Sequence, residues 1–217
     1  MSEEFTSASL PEDSKAVPAA LKRVARAFFA LSLAGAIIGL FHQYDLVVSI
    51  ILAIVTPFFV INTLKRHPHT SVKILIPIGT VVTGSLGLLA EHWGIHNGHW
   101  IYHDLSDNRE YAYWLFFAWA LAFVFLYRVE ASLIEHWKIN TFRKKLLLVI
   151  VVSTILPTWG EIVAINLGTW TYSWEYQFFG VPALAILLLT LFHTGIFLLF
   201  YSICRIFKID NPVFNVS

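Results

Sequence analysis

Apolar residues run along the chain in six stretches with few polar interruptions, at about 24–41, 46–64, 72–90, 111–127, 146–167 and 178–207. Each reaches the roughly 17 residues that carry a helix across a bilayer core. None alternates apolar with polar positions as a barrel strand does, and helices and closed barrels are the folds whose backbone is satisfied in lipid. The pattern predicts an all-α integral membrane protein with six transmembrane helices. Pro57, Pro77 and Pro157 fall inside these stretches and are expected to kink them locally. Between the fourth and fifth stretches, 128–145 sets Leu133, Ile134, Trp137 and Phe142 among charges, a pattern that suits an amphipathic helix on the membrane surface.

The polar remainder divides the chain. Residues 1–23 carry Glu3, Glu4, Glu12, Asp13 and two prolines ahead of Lys22 and Arg23, which does not fit a cleavable leader. They are expected to be a disordered, retained cytoplasmic tail, followed by a transmembrane domain at 24–208 and a short C-terminal tail at 209–217. Composition agrees: 57% of residues are hydrophobic and 13% charged, and a mean hydropathy of +0.68 lies outside the soluble range. The net charge of +1 gives no reason to expect a nucleic-acid partner, and the single cysteine, Cys204, excludes an internal disulfide or a cysteine-based zinc site.

Charge placement adds an orientation. Fourteen of the fifteen Lys and Arg residues lie in or beside the N-terminal tail, the second and fourth connections or the C-terminal end, with Arg26, Lys73 and Arg205 just inside the adjoining stretches, and Arg109 alone lies on the other side. By the positive-inside rule both termini are cytoplasmic. Six spans then group as three hairpins that turn on the opposite face, where Asp45, Glu91, Asp104, Asp107, Glu110, Glu161 and Glu175 also lie.

The last two hairpins share a frame, Glu-x6-Gly-x-Trp-x-Tyr. Glu91, Gly98, Trp100 and Tyr102 repeat at Glu161, Gly168, Trp170 and Tyr172, so the chain holds an internal repeat with units of about 72–127 and 146–207. The first hairpin turns on Gly39 to Asp45 and lacks both the acid and the aromatic pair. Glu161 is 16 residues beyond Lys145 and Glu91 is 18 beyond Lys73, which places the two acids at a common depth near the outer helix ends.

A carboxyl placed in an apolar site without a cation favours its neutral form, and a neutral carboxyl can act as a Brønsted acid. Ionisable residues inside membrane spans mark functional sites by default, although a Glu at a helix end can also simply reach interfacial water. Trp159, Trp170 and Tyr172 cluster at the end of the fifth stretch, with Trp100 and Tyr102 at the end of the third. An interfacial aromatic belt accounts for most such residues, but rings at a fixed distance from an acid can also shelter a cation. His92, His96, His99 and His103 follow a helical spacing and form a candidate metal set, which the turn signal Asn97-Gly98 is expected to break. His193, in the middle of the sixth stretch, is expected to pack and hydrogen-bond rather than ligate.

The order Glu161, Trp170, Tyr172, Gly180, Pro182 resembles one repeat of the membrane lycopene cyclases of bacteria, archaea and fungi, with Glu where Asp is common. Glu91, Trp100 and Tyr102 match the first part of the same repeat, and the pattern is also similar to the related carotenoid hydratases. The family's Pro-x-Glu-Glu is absent, because Ala183, Leu184 and Ala185 follow Pro182.

The resemblance implies acid-initiated cyclisation or hydration of a polyene, with Glu161 as proton donor and Glu91 as acceptor or water-positioning group. Trp170, Tyr172, Trp100, Tyr102 and Trp159 would surround the cation. No cofactor and no metal are expected, and the partners are the lipid bilayer and an apolar isoprenoid or carotenoid. No sequence feature sets an oligomeric state. The alternatives are a non-catalytic isoprenoid carrier and a histidine-ligated metal enzyme. The orientation is testable directly: a cysteine at Asp107 should react with an impermeant thiol reagent applied to intact cells and one at Arg143 should not, and the reversed pattern would invert the topology.

Overall fold

In the computed structural model, which describes residues 13–66, 70–105 and 109–215, the apolar stretches form helices. Asp107 lies outside these residues. In chain order the elements are α1 (Asp13–Phe41), a 3₁₀ turn (His42–Tyr44), α2 (Asp45–Arg66), α3 (Thr70–His96), β1 (Trp100–Tyr102), α4 (Leu115–His136), α5 (Phe142–Asn166), β2 (Trp170–Tyr172), β3 (Gln177–Phe178), β4 (Val181–Pro182) and α6 (Ala183–Phe207). Among the described residues, five helical stretches are long and apolar enough to cross a membrane. One of them, Ala19–Arg66, contains most of α1, the 3₁₀ turn and all of α2 within 48 residues.

The consecutive pairs α3–α4 and α5–α6 pack closely, whereas α1 rests mainly on α5 and α2 on α4. The first two helices therefore spread over the other four more than they pair with each other. Close approach of α3 to α4 depends on missing side chains. A Cβ added at Gly79 would stand 2.1 Å from the Phe123 ring, and one at Gly87 would stand 2.2 Å from the Trp119 ring. The aromatic side chains of α4 lie directly on the backbone of α3.

Two expectations need correction. Residues 13–23, read as disordered tail, belong to α1, where Ala16, Ala19, Ala20 and Leu21 are strong helix formers; residues 1–12 lie outside the described residues. The segment 128–145 is not a surface helix. It comprises the end of α4, a tight turn with Lys138 at φ 51°, and the start of α5, because Glu130, Ala131, Leu133 and Ile134 all face inward and draw α4 on to His136. Within the C-terminal tail, residues 209–215 pack against the bundle. Lys145 Nζ donates to the carbonyls of Pro212 (2.8 Å) and Asn215, while the Asn211 side-chain oxygen accepts from the backbone N–H groups of Val213 (3.0 Å) and Phe214 (3.2 Å). Val213 and Phe214 are thereby buried in the core.

The glycine contacts yield a stability prediction with an internal control. Gly79→Val must displace Phe123 and should cost about 1–3 kcal/mol, lowering the thermal unfolding midpoint in detergent. A Cβ added at Gly195 meets no atom within 4 Å, so Gly195→Val should leave it unchanged.

Candidate functional site: two acids behind a paired aromatic ladder

Both copies of the repeated frame end their helix in the same way. In α3, Gly98 at φ 67° donates to Ile95 O (2.9 Å) and His99 N to Gly94 O (2.8 Å). In α5, Gly168 at φ 86° donates to Ile165 O (2.9 Å) and Thr169 N to Ala164 O (3.3 Å). A left-handed residue after the last helical turn is the position where glycine costs least. The chain then reverses into a three-residue strand, and the two strands pair with each other.

The ladder is antiparallel and reciprocal: Trp100 faces Tyr172, Ile101 faces Thr171, and Tyr102 faces Trp170. Two further bonds flank it, His103 N to Thr169 O (3.0 Å) and Ser173 N to His99 O (2.9 Å), each the counterpart of the other in the repeat. Because residues alternate faces along a strand, the Trp and Tyr of each copy point together toward the helices, and the residue between them, Ile101 or Thr171, is exposed.

From that ladder each copy reaches back to its own acid. Glu91 is buried and accepts from Trp100 Nε1 (2.9 Å) and Tyr102 Oη (3.0 Å) on one carboxyl oxygen, and from Trp119 Nε1 (3.0 Å) on the other. Gly94 makes this possible: a Cβ there would stand 1.8 Å from the Trp100 ring. Glu161 is half-buried and accepts from Tyr172 Oη at 2.9 Å, with the Trp170 indole beside it. Burial, and then the nearby carboxyls, push the phenols of Tyr102 and Tyr172 well above the ordinary phenol range. Both hydroxyls therefore stay protonated and remain donors.

The two acids open onto one cavity of about 240 Å³, walled also by Trp114, Trp119, Trp170 and His193. Ala30, Ala34, Gly35, Ala118, Ala122 and Gly160 provide the space, and Ala30 at the rim is exposed. Of the residues expected to surround a bound cation, Trp170 lines the cavity. Trp100, Tyr102 and Tyr172 stand behind the acids as hydrogen-bond donors. Trp159 lies where α5 meets α1, donating to Ser32 Oγ (2.8 Å) and set edge-on to Phe28, apart from the cavity wall.

Trp119 and His193 were not legible as site residues. The signal for Trp119 was Gly87, the notch it fills, and this shows only once α3 and α4 are known to be neighbours. His193 is buried on the wall with its ring 5.8 Å from that of Trp119 and makes no hydrogen bond to the described residues, in contrast to the hydrogen-bonded role expected for it.

The four clustered histidines are divided by the turn at Asn97-Gly98. His92 bonds Tyr111 Oη (2.6 Å) and stacks on His96, His99 packs between Trp93 and Trp174, and His103 bonds Thr171 Oγ1 (3.1 Å). No group of three or more His, Cys, Asp or Glu side chains among the described residues is arranged to hold a metal ion. Arg109 pairs with buried Asp45 at 2.8 Å and lies 3.6 Å over the Tyr113 ring, tying the loop before α4 to the start of α2.

No family model, no curated protein and no solved structure matches this chain. The site is therefore read from its own geometry.

That geometry makes unequal demands on the two phenols. Tyr172→Phe takes from Glu161 its principal donor, and an unsatisfied buried group costs about 1–3 kcal/mol. Tyr102→Phe leaves Glu91 with two indole donors and should cost less. Thermal unfolding of both variants in detergent measures the difference, and a larger loss for Tyr102→Phe would contradict this ranking.

Proposed function

We propose that the protein is a multi-pass membrane enzyme that acts on a polyene isoprenoid by proton-initiated cyclisation or hydration. The observation that carries this reading is the pairing of two carboxyls on one apolar, tryptophan-lined cavity, each fixed by donors from its own copy of the repeat.

Glu161 delivers a proton to one carbon of a terminal double bond, leaving a carbocation on the other. Attack by a neighbouring double bond closes a ring and moves the positive charge to a ring carbon. Glu91 then takes a proton from the adjacent carbon, and a proton returns from Glu91 to Glu161 before the next turnover, so the substrate is isomerised with no net gain or loss of atoms or electrons. In hydration, water attacks the first cation instead and Glu91 accepts its surplus proton. Neither course needs a redox cofactor. The face of Trp170, with Trp114 and Trp119, supplies the ring quadrupoles that stabilise a cation in a dry site.

The division of labour follows from the donors. Glu91 is held on both oxygens by three of them and is built as an acceptor, while Glu161 accepts principally from Tyr172 and is the freer of the two. A cavity of about 240 Å³ is smaller than the roughly 300–1,000 Å³ of sites that enclose a drug-sized ligand. It takes one end of a long polyene, and the remainder leaves past exposed Ala30 into lipid.

In this reading the 48-residue stretch Ala19–Arg66 crosses the membrane twice, since about 72 Å of helix exceeds twice the bilayer core. The chain then has six spans in three hairpins with both termini cytoplasmic. The likeness to lycopene cyclases rests on the frame containing Glu161, Trp170 and Tyr172. Where that family carries two further acids after the proline, this chain opens α6 with Ala183, Leu184 and Ala185, so Glu161 and Glu91 carry the proton chemistry alone.

The three donors on Glu91 also suit a second reading, in which the protein carries an isoprenoid and the acids hold a polar end group. Glu161→Gln separates the two. It keeps the shape and a hydrogen-bonding side chain but cannot donate a carboxyl proton. An enzyme should lose conversion of an acyclic polyene by at least about a hundredfold while binding it within a few-fold, whereas a carrier should keep both binding and delivery. Undiminished conversion by Glu161→Gln would end the acid mechanism.

A further inference from the structure

Away from the acid cavity, a groove of about 540 Å³ runs between α1, α4 and α5 at the end of the bundle where the basic residues gather. Lys144 stands at its mouth and Leu156 at its floor. Those twelve residues of helix span about 18 Å, close to half of a bilayer core about 30 Å thick. The groove is one leaflet deep. Its walls are apolar apart from Lys144, and half-exposed Trp137 sits near the mouth, where an indole suits the membrane interface.

The mouth is cationic. Lys138, Arg143 and Lys144 are exposed and form no ion pair among the described residues, and neither does neighbouring Glu135. On α1, Arg23 reaches across to the Ser132 hydroxyl of α4, beside Val24 on the groove wall. An apolar slot facing lipid accepts an acyl chain of any kind; unpaired cations at headgroup level add selection for negative charge. Each such cation raises affinity for an anionic lipid about fivefold.

We propose that this groove binds one anionic phospholipid of the leaflet on the basic side, with an acyl chain along α5 and its phosphate on Lys144 and Arg23. The proposal does not rest on the chemistry assigned to Glu161 and Glu91.

Trp137 makes the site observable. The full-length protein is reconstituted into phosphatidylcholine bilayers containing brominated phosphatidylglycerol or brominated phosphatidylcholine, and the Trp137 signal is taken as the difference from Trp137→Phe. With two cations on the phosphate, brominated phosphatidylglycerol should quench that signal at about one twenty-fifth the mole fraction needed for brominated phosphatidylcholine. Lys144→Gln should remove most of the preference, Lys144→Arg should restore it, and Val151→Phe, which fills the groove, should weaken quenching by both lipids. Quenching of Lys144→Gln by phosphatidylcholine shows that the variant is folded and inserted. Equal quenching of the wild type by the two lipids overturns the proposal, as does a preference indifferent to Lys144. Farnesyl diphosphate relieving the phosphatidylglycerol quenching at a lower mole fraction than unbrominated phosphatidylglycerol would assign the groove to a prenyl diphosphate and overturn it as well.

Discussion

A carboxyl set inside an apolar bundle must find hydrogen-bond donors, and the rest of this structure is arranged around meeting that requirement twice. Water is scarce there, and an unsatisfied acid costs several kcal/mol in lipid. The donors chosen are indole and phenol groups, which bring an N–H or O–H without bringing a second charge. For each acid they come from residues nine and eleven positions further on, carried back over the helix end by a glycine turn. The reversal allows a side chain beyond the helix to satisfy one within it.

Pairing of the two strands gives that arrangement its rigidity. A single three-residue strand has nothing to hold it, and its Trp and Tyr would be free to leave the acid. Joined in antiparallel register with the other copy, each strand fixes its partner, and the two acids are drawn to one cavity. The ladder is short but is anchored at both ends by the helix-terminal turns of α3 and α5. Asp45 and Arg109 do comparable work beside it: the ion pair between buried Asp45 and half-buried Arg109 attaches the loop before α4 to α2 and keeps the loop close to the site.

The chain's hydrophobic pattern made the membrane class, the helical stretches and the repeated frame plain, because each depends on spacing along a single element. It did not show the reciprocal strand pairing, since spacing within each copy says nothing about which strand meets which. Helix ends were misjudged where charge and burial disagree. Glu130 and Lys145 made 128–145 look like a solvated surface segment, yet both are buried, Lys145 because the carbonyls of Pro212 and Asn215 surround its ammonium group. For the aromatic residues the sequence placed the right types near the right acids but not in the right roles. Whether a ring lines a cavity or stands behind an acid depends on the direction of its side chain, which the register of the ladder sets.

The repeat is symmetric in its frames and asymmetric in its surroundings, and that asymmetry sets the two acids apart. α4 follows α3 as α6 follows α5, but the two helices offer their acids different things. From α4, Trp119 donates to the second oxygen of Glu91 and so completes its set. From α6, Leu189 and His193 line the cavity and neither hydrogen-bonds Glu161. One copy has thus closed around its carboxyl while the other leaves its carboxyl facing open space. A carboxyl held by several N–H and O–H donors is favoured in its charged form, which has no proton to give, whereas a carboxyl with few donors in an apolar setting is favoured in its neutral form. Two carboxyls at matching positions of the repeated frame thus differ in their surroundings without any change in residue type, the difference lying in a single indole on the neighbouring helix.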